Sequence, residues 1–143
     1  MKKNLVLVGM MASGKTSLGR IVAKKQNLKF IDTDLIIEKK NAMTISQIFK
    51  KKGESFFRIE EEKETLKCLK ENNCVISLGG GAFMNKNIRE NVLKNCISIW
   101  LDVDAKIINK RVKWNNKRPL LKMKNSINKI NKLYLERKNA YKK

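Results

Sequence analysis

The chain has 143 residues, enough for one domain built around a single core. It holds no run of eighteen apolar residues and no histidine, which excludes a membrane-spanning helix and leaves acid–base work to carboxylates, lysines or a substrate's own oxygens. The net charge of +20 invites a nucleic-acid reading, but only six of the 33 basic residues are arginines, and the lysines are scattered along the whole chain as a solvated surface would have them.

Leu5-Val6-Leu7-Val8 reads as a short apolar strand, and Met1-Lys2-Lys3-Asn4 leads straight into it, leaving no room for a cleaved signal. Gly9-Met10-Met11-Ala12-Ser13-Gly14-Lys15-Thr16 follows, a G-x-x-x-x-G-K-[ST] loop, and Ser17 to Lys25 reads as a helix with Leu18, Ile21 and Val22 on one face. Strand, loop and helix in that order are what the motif needs to bind phosphate. The glycines let successive N–H groups curl inward, and the helix N-terminus adds partial positive charge. Lys15 then reaches the β- and γ-phosphate oxygens, and the Thr16 hydroxyl ligates Mg²⁺.

Lys29-Phe30-Ile31 is a second strand, ending at Asp32-Thr33-Asp34. The two aspartates alternate past the strand end, so one can serve a metal and the other an acceptor; either can equally cap a helix. Leu35 to Lys40 and Thr44 to Lys51 read as helices, the second opened by a capping box from Thr44 to Gln47 and closed by Gly53. Glu54 to Glu71 makes a longer charged helix that buries Phe56, Leu66 and Leu69. On it Arg58 precedes Glu61 and Glu62 by three and four residues, a spacing that by itself is an ordinary surface ion pair.

Cys74 to Leu78 is a strand closed by Gly79-Gly80-Gly81, three bare residues that suit either a flexible turn or the close approach of a ligand. Asn85 to Lys94 is helical, Ile97 to Leu101 a strand, and Asp104 to Lys113 a helix. A polar segment from Trp114 to Asn125 carries the sole proline, Pro119, and a last helix runs from Ser126 to Tyr141. Cys68, Cys74 and Cys96 show no C-x-x-C spacing and read as reduced, semi-buried thiols of a cytoplasmic protein. Strands alternating with helices predict a parallel α/β sheet covered on both faces, with ligands at the carboxyl ends of the strands. The phosphate loop, Asp32/Asp34 and the glycine triplet therefore converge on one rim.

The phosphate loop, Phe30-Ile31-Asp32-Thr33-Asp34, Phe57-Arg58-Ile59-Glu60-Glu61, Leu78-Gly79-Gly80-Gly81, Arg118-Pro119-Leu120-Leu121 and the late Arg137 together resemble the shikimate kinase family, in order and spacing, over essentially the whole chain. The resemblance implies a three-layer α/β/α P-loop kinase fold and ATP-dependent phosphorylation of the 3-hydroxyl of shikimate. It implies a single domain over residues 1–143, with substrate-binding helices at about 34–71 and a lid at about 112–124. Residue by residue, Met11, Ala12, Ser13, Gly14, Lys15, Thr16 and Ser17 would hold ATP, with Arg111 against the adenine and Arg118 swinging from the lid onto the transferring phosphoryl group. Thr16 and Asp32 would organise Mg²⁺, and Asp34 would orient the acceptor hydroxyl and take its proton. Arg58 and Arg137 would clamp the substrate carboxylate, beside Gly79, Gly80 and Gly81, with Glu61 steadying Arg58 or touching the substrate.

Ala12 stands where many relatives carry glycine, a departure that is tolerable if its φ is negative. Relatives continue past the Arg137 helix with another strand and a closing helix, so the resemblance implies that these are missing here, where the chain stops at Tyr141-Lys142-Lys143. The partner expected is the small molecule alone, with a monomeric chain and neither nucleic acid nor membrane. Competing readings are another small-acceptor kinase such as a gluconate kinase, a shortened inactive paralogue, and a basic nucleic-acid-binding protein with a vestigial phosphate loop.

Overall fold

The computed structural model describes residues 3–114 and 126–143. Strands β1 (Leu5–Val8), β2 (Lys29–Asp32), β3 (Cys74–Ser77) and β4 (Ile97–Trp100) form one sheet in the order β2-β3-β1-β4. All three pairings are parallel, so every strand delivers its carboxyl end to the same rim.

The helices are α1 (Lys15–Gln26), α2 (Thr33–Asn41), α3 (Ile45–Cys68), α4 (Lys86–Asn95), α5 (Ala105–Trp114) and α6 (Ser126–Tyr141). Successive strand residues point to opposite faces, and the two sides of the sheet are divided accordingly. Val6, Val8, Ile76 and Trp100 face the main core, with Ile88 and Val92 of α4, Ile108 and Val112 of α5, and Ile130 and Tyr141 of α6. Leu7 and Val75 face the other way, against Ala23 of α1. A third cluster, Ile37, Ile48 and Phe57, joins α2 to α3 beside the sheet. Helix, sheet and helix layers are thus in place.

The packed face of α1 is not the one its large residues suggest. Leu18 and Ile21 are 39% and 53% exposed, and the buried positions are Lys15, Gly19 and Ala23. A Cβ on Gly19 would lie 2.5 Å from the Phe30 ring, so the helix sits too close to the sheet for a larger side chain. On α3 the buried aromatic is Phe57, with Phe56 only half-buried, and the helix ends at Cys68. The capping box at Thr44 forms as expected, its hydroxyl accepting from Gln47 N–H while the Gln47 side chain accepts from Thr44 N–H. Gly53 breaks the helical path, with φ 86° and ψ 166°. A Cβ there would touch nothing, so the backbone conformation and not crowding calls for glycine.

The three cysteines are free and buried. Burial pushes the Cys68 thiol up to about 11, so it stays a neutral apolar filler. Among the described residues no helix is long and apolar enough to cross a membrane.

Candidate functional site

The phosphate loop springs from the buried end of β1 and curls over the start of α1. Lys15 is buried, and its ammonium donates to the carbonyls of Gly9 (2.9 Å) and Met10 (2.8 Å), which holds the charge inside the curve of the loop. Ala12 adopts φ 56°, a left-handed conformation, so the condition of a negative φ is not met. For a residue with a Cβ that costs roughly 1–2 kcal/mol. Arg111 reaches in from α5 and donates to the Ala12 carbonyl at 3.0 Å, offsetting part of the cost. Arg111, read from the resemblance as an adenine contact, is therefore seated on the loop as well as lining its cleft.

Asp32 serves two roles at once. Its Oδ1 caps α2 by accepting from the N–H groups of Asp34 (3.1 Å) and Leu35 (3.3 Å). Its Oδ2 accepts from the Thr16 hydroxyl at 2.6 Å. The helix-cap reading is thus met by one oxygen, while the other is joined to the phosphate loop. The cap also places Asp34 in the first turn of α2, turned toward the glycine triplet.

That triplet is enclosed by charge. A Cβ on Gly79 would lie 2.6 Å from Asp34 Oδ1 and 2.7 Å from Glu61 Oε1. One on Gly81 would lie 2.6 Å from Arg58 Nη1, and one on Gly80 would lie 3.2 Å from Arg137 Nη1. Four ionisable groups from α2, α3 and α6 therefore close on three bare Cα atoms, and any side chain there would displace them. Close approach, not flexibility, explains the glycines. Thr33 locks the triplet's entry: its hydroxyl accepts from Gly79 N–H (3.2 Å) and donates to the Ser77 carbonyl (3.3 Å).

The Arg58–Glu61 pair, read from spacing as a weak surface contact, is a 2.7 Å bridge to a carboxylate only 2% exposed. Glu62 does not share it; it accepts from Asn85 and Asn87 and ties α3 to α4. Burial pushes the Glu61 pKa above its ordinary value, and Asp34 pushes the same way, while Arg58 and Arg137 oppose them. Glu61 Oε1 and Arg137 Nη1 are buried without a hydrogen-bond partner among the described residues. An unpartnered buried guanidinium N–H beside a pocket calls for an anion.

Two cavities meet at this rim. The larger, about 1250 Å³, is lined by Ala12 to Leu18, Asp32, Asp34, Asp102, Lys110 and Arg111. The smaller, about 80 Å³, is lined by Asp34, Phe49, Arg58, Glu61, the three glycines and Arg137. Met11 lines the smaller cavity and not the larger. Asp34, Ile45 and Gly80 line both. Of the residues expected at the site, Arg118 and the Pro119-Leu120-Leu121 segment lie outside the described residues. Ile45, Phe49 and Phe57 were not foreseen as walls of the small cavity; the one signal was the aromatic Phe57 next to Arg58.

The pH response of Glu61 follows from its surroundings. Because its folded pKa is raised, its neutral form is favoured: stability from this group is full below about pH 4.5 and is lost as pH rises through the folded value. Glu61→Gln is therefore expected to melt no lower than the parent at pH 7, an advantage that shrinks toward pH 4. A melting temperature that drops at pH 7 and recovers in acid would reverse this sign.

The shikimate kinase family model matches residues 11–143. A curated shikimate kinase from Sulfurihydrogenibium sp. (strain YO3AOP1) is 45% identical over 139 residues, 97% of this chain and 82% of the relative. The solved shikimate kinase from Acinetobacter baumannii in complex with shikimate superposes with a TM-score of 0.96 at 32% identity, covering 99% of this chain and 79% of that one. A gluconokinase from Sinorhizobium meliloti 1021 reaches a TM-score of 0.51 at 15% identity, over 94% of this chain and 73% of that one, a likeness of fold alone. With the phosphate loop, the charged glycine triplet and both arginines set around one rim, the chain belongs to the shikimate kinase family.

Proposed function

We propose that this chain transfers the γ-phosphoryl group of ATP to the 3-hydroxyl of shikimate, with the triphosphate in the larger cavity and the acceptor in the smaller. The observation that carries the reading is that Asp34 and Gly80 line both cavities, so a donor in one and an acceptor in the other meet at a single carboxylate.

Arg58 and Arg137 bind the acceptor's carboxylate through paired N–H donors, which satisfies the buried Nη1 of Arg137. Held there, the hydroxyl is presented to Asp34, which accepts its proton as the new O–P bond forms and the bond from the γ-phosphorus to the bridging oxygen breaks, releasing ADP. Lys15 and the loop N–H groups balance the charge on the phosphate oxygens. The Thr16 hydroxyl and Asp32 Oδ2 are hard oxygen donors 2.6 Å apart at the edge of the larger cavity, a set that fits Mg²⁺. When bound, the ion neutralises triphosphate charge and keeps the chain of phosphates in register. Arg118 and the lid at 112–124 are assigned by resemblance to the transferring group, although Val112 is packed in the core and residues 115–124 lie outside the described residues. The free buried thiols support a cytoplasmic setting, and the scattered lysines support a monomer acting on small molecules rather than on nucleic acid.

A coupled assay following ADP release with ATP and Mg²⁺ tests the reading directly. Shikimate-dependent turnover is expected; faster turnover with gluconate, or none with either acid, would overturn it. Arg137→Ala should raise the KM for shikimate about ten- to hundredfold, as expected for one charge-assisted contact, and leave the KM for ATP nearly unchanged. A parallel rise in both would remove the clamp.

A further inference from the structure

We propose that Tyr141 is a positioning residue for the carboxylate end of the acceptor pocket, fixing through its hydroxyl the Gly80–Gly81 peptide against which Arg58 and Arg137 are set. The inference rests on reading that pocket as the shikimate site.

Tyr141 is the last residue of α6 and is 4% exposed. Its hydroxyl donates to the Gly80 carbonyl at 2.5 Å. Its ring is held between Phe83, 6.5 Å away and near parallel, and Trp100, 5.8 Å away. Phe83 lies in the single helical turn (Ala82–Met84) that follows the triplet, and Trp100 ends β4. The ring's direction is therefore set by two aromatic neighbours, and the hydroxyl meets both the Gly80 carbonyl and the Arg137 side chain.

Gly80 is where three parts of the molecule meet. A Cβ there would lie 3.1 Å from Met11 N in the phosphate loop and 3.2 Å from Arg137 Nη1. Arg137 and Tyr141 are four residues apart on α6 and so share a helix face. One rigid turn thus presents the guanidinium to the glycine and the hydroxyl to its carbonyl. The peptide between Gly80 and Gly81 is planar and trans, so the Gly81 N–H points away from Tyr141. Arg58 lies over Gly81, its Nη1 2.6 Å from where a Cβ would be. Fixing the Gly80 carbonyl therefore fixes the N–H beside both arginines. Burial pushes the Tyr141 pKa above its usual value of 10, although Arg137 pulls it back, so the phenol remains a donor at neutral pH.

Tyr141→Phe keeps the ring and removes only the hydroxyl. Its KM for shikimate, and the Kd from calorimetry, should rise about five- to tenfold, as for one lost hydrogen bond, while the KM for ATP stays within about twofold. Phe83→Leu loosens the same aromatic stack without touching the hydroxyl; it should lower the melting temperature and leave the shikimate KM within about twofold. An unchanged shikimate KM in Tyr141→Phe overturns the proposal, as does a matching rise in the ATP KM. So does a Phe83→Leu variant that weakens shikimate equally, since packing would then suffice. A parent chain that turns over no shikimate removes the pocket reading and this inference together, whereas normal parent turnover with an indifferent Tyr141→Phe removes only the inference.

Discussion

Replacing Lys15 by alanine is expected to lower shikimate-dependent ADP release about 10²- to 10³-fold in kcat, with the chain still folded. The ammonium is held by the Gly9 and Met10 carbonyls at the mouth of α1, so its position is fixed before the phosphates arrive. A preset charge costs no reorganisation when the γ-phosphoryl moves, and alanine cannot supply it. The lost contacts include the two buried hydrogen bonds to loop carbonyls; because the side chain lines the larger cavity, water can replace the ammonium there, and the melting temperature should fall by only a few degrees. Retention of near-parent kcat, with an intact circular dichroism spectrum, would move the donor site away from this loop.

The second large effect is expected at Asp34. Asp34→Asn preserves shape and removes the carboxylate proposed to take the acceptor's proton, so kcat should fall about 10²- to 10⁴-fold. The KM for ATP should change little, because the proposed grip on the triphosphate comes from Lys15, Thr16 and the loop. Asp34 stands within reach of a Gly79 Cβ and lines both cavities, so no other described carboxylate is placed to substitute. Glu61, its neighbour in the triplet, is engaged with Arg58 at 2.7 Å. Parent kcat in the Asp34→Asn variant would mean that the hydroxyl attacks without a protein base.

Local chemistry was legible in the sequence, and long-range chemistry was not. The phosphate loop, the capping box at Thr44 and the break at Gly53 are each decided by residues within a few positions, and each forms where its residues predict. The packed face of α1 went largely the other way, Val22 alone of its expected residues packing inward, because periodicity favours large apolar residues while close contact with the sheet selects Gly19 and Ala23. Ala12 takes a positive φ, and its carbonyl is held by Arg111, a partner 99 positions along the chain. Arg58 and Glu61 were correctly placed on one helix face, but only the tertiary fold buries the carboxylate and turns a weak surface pair into part of a pocket. Tyr141 carries no motif at all. Its role depends on a backbone carbonyl 61 residues away, a group that every sequence position shares.

The break in α3 divides the labour of recognising the acceptor. Ile45 and Phe49, two of the apolar walls of the void, lie before Gly53, whereas Arg58 and Glu61, proposed to read charge, lie after it with a further wall, Phe57. At Gly53 the dihedral angles leave the helical region, so the two stretches are separate rods touching through Phe49 and Phe57, whose rings are 4.8 Å apart. Trimming Ile45 would therefore enlarge the chamber for a bulkier acid while the grip on its anionic end keeps its own scaffold. Size selectivity and charge selectivity are thus open to separate tuning, by evolution or at the bench.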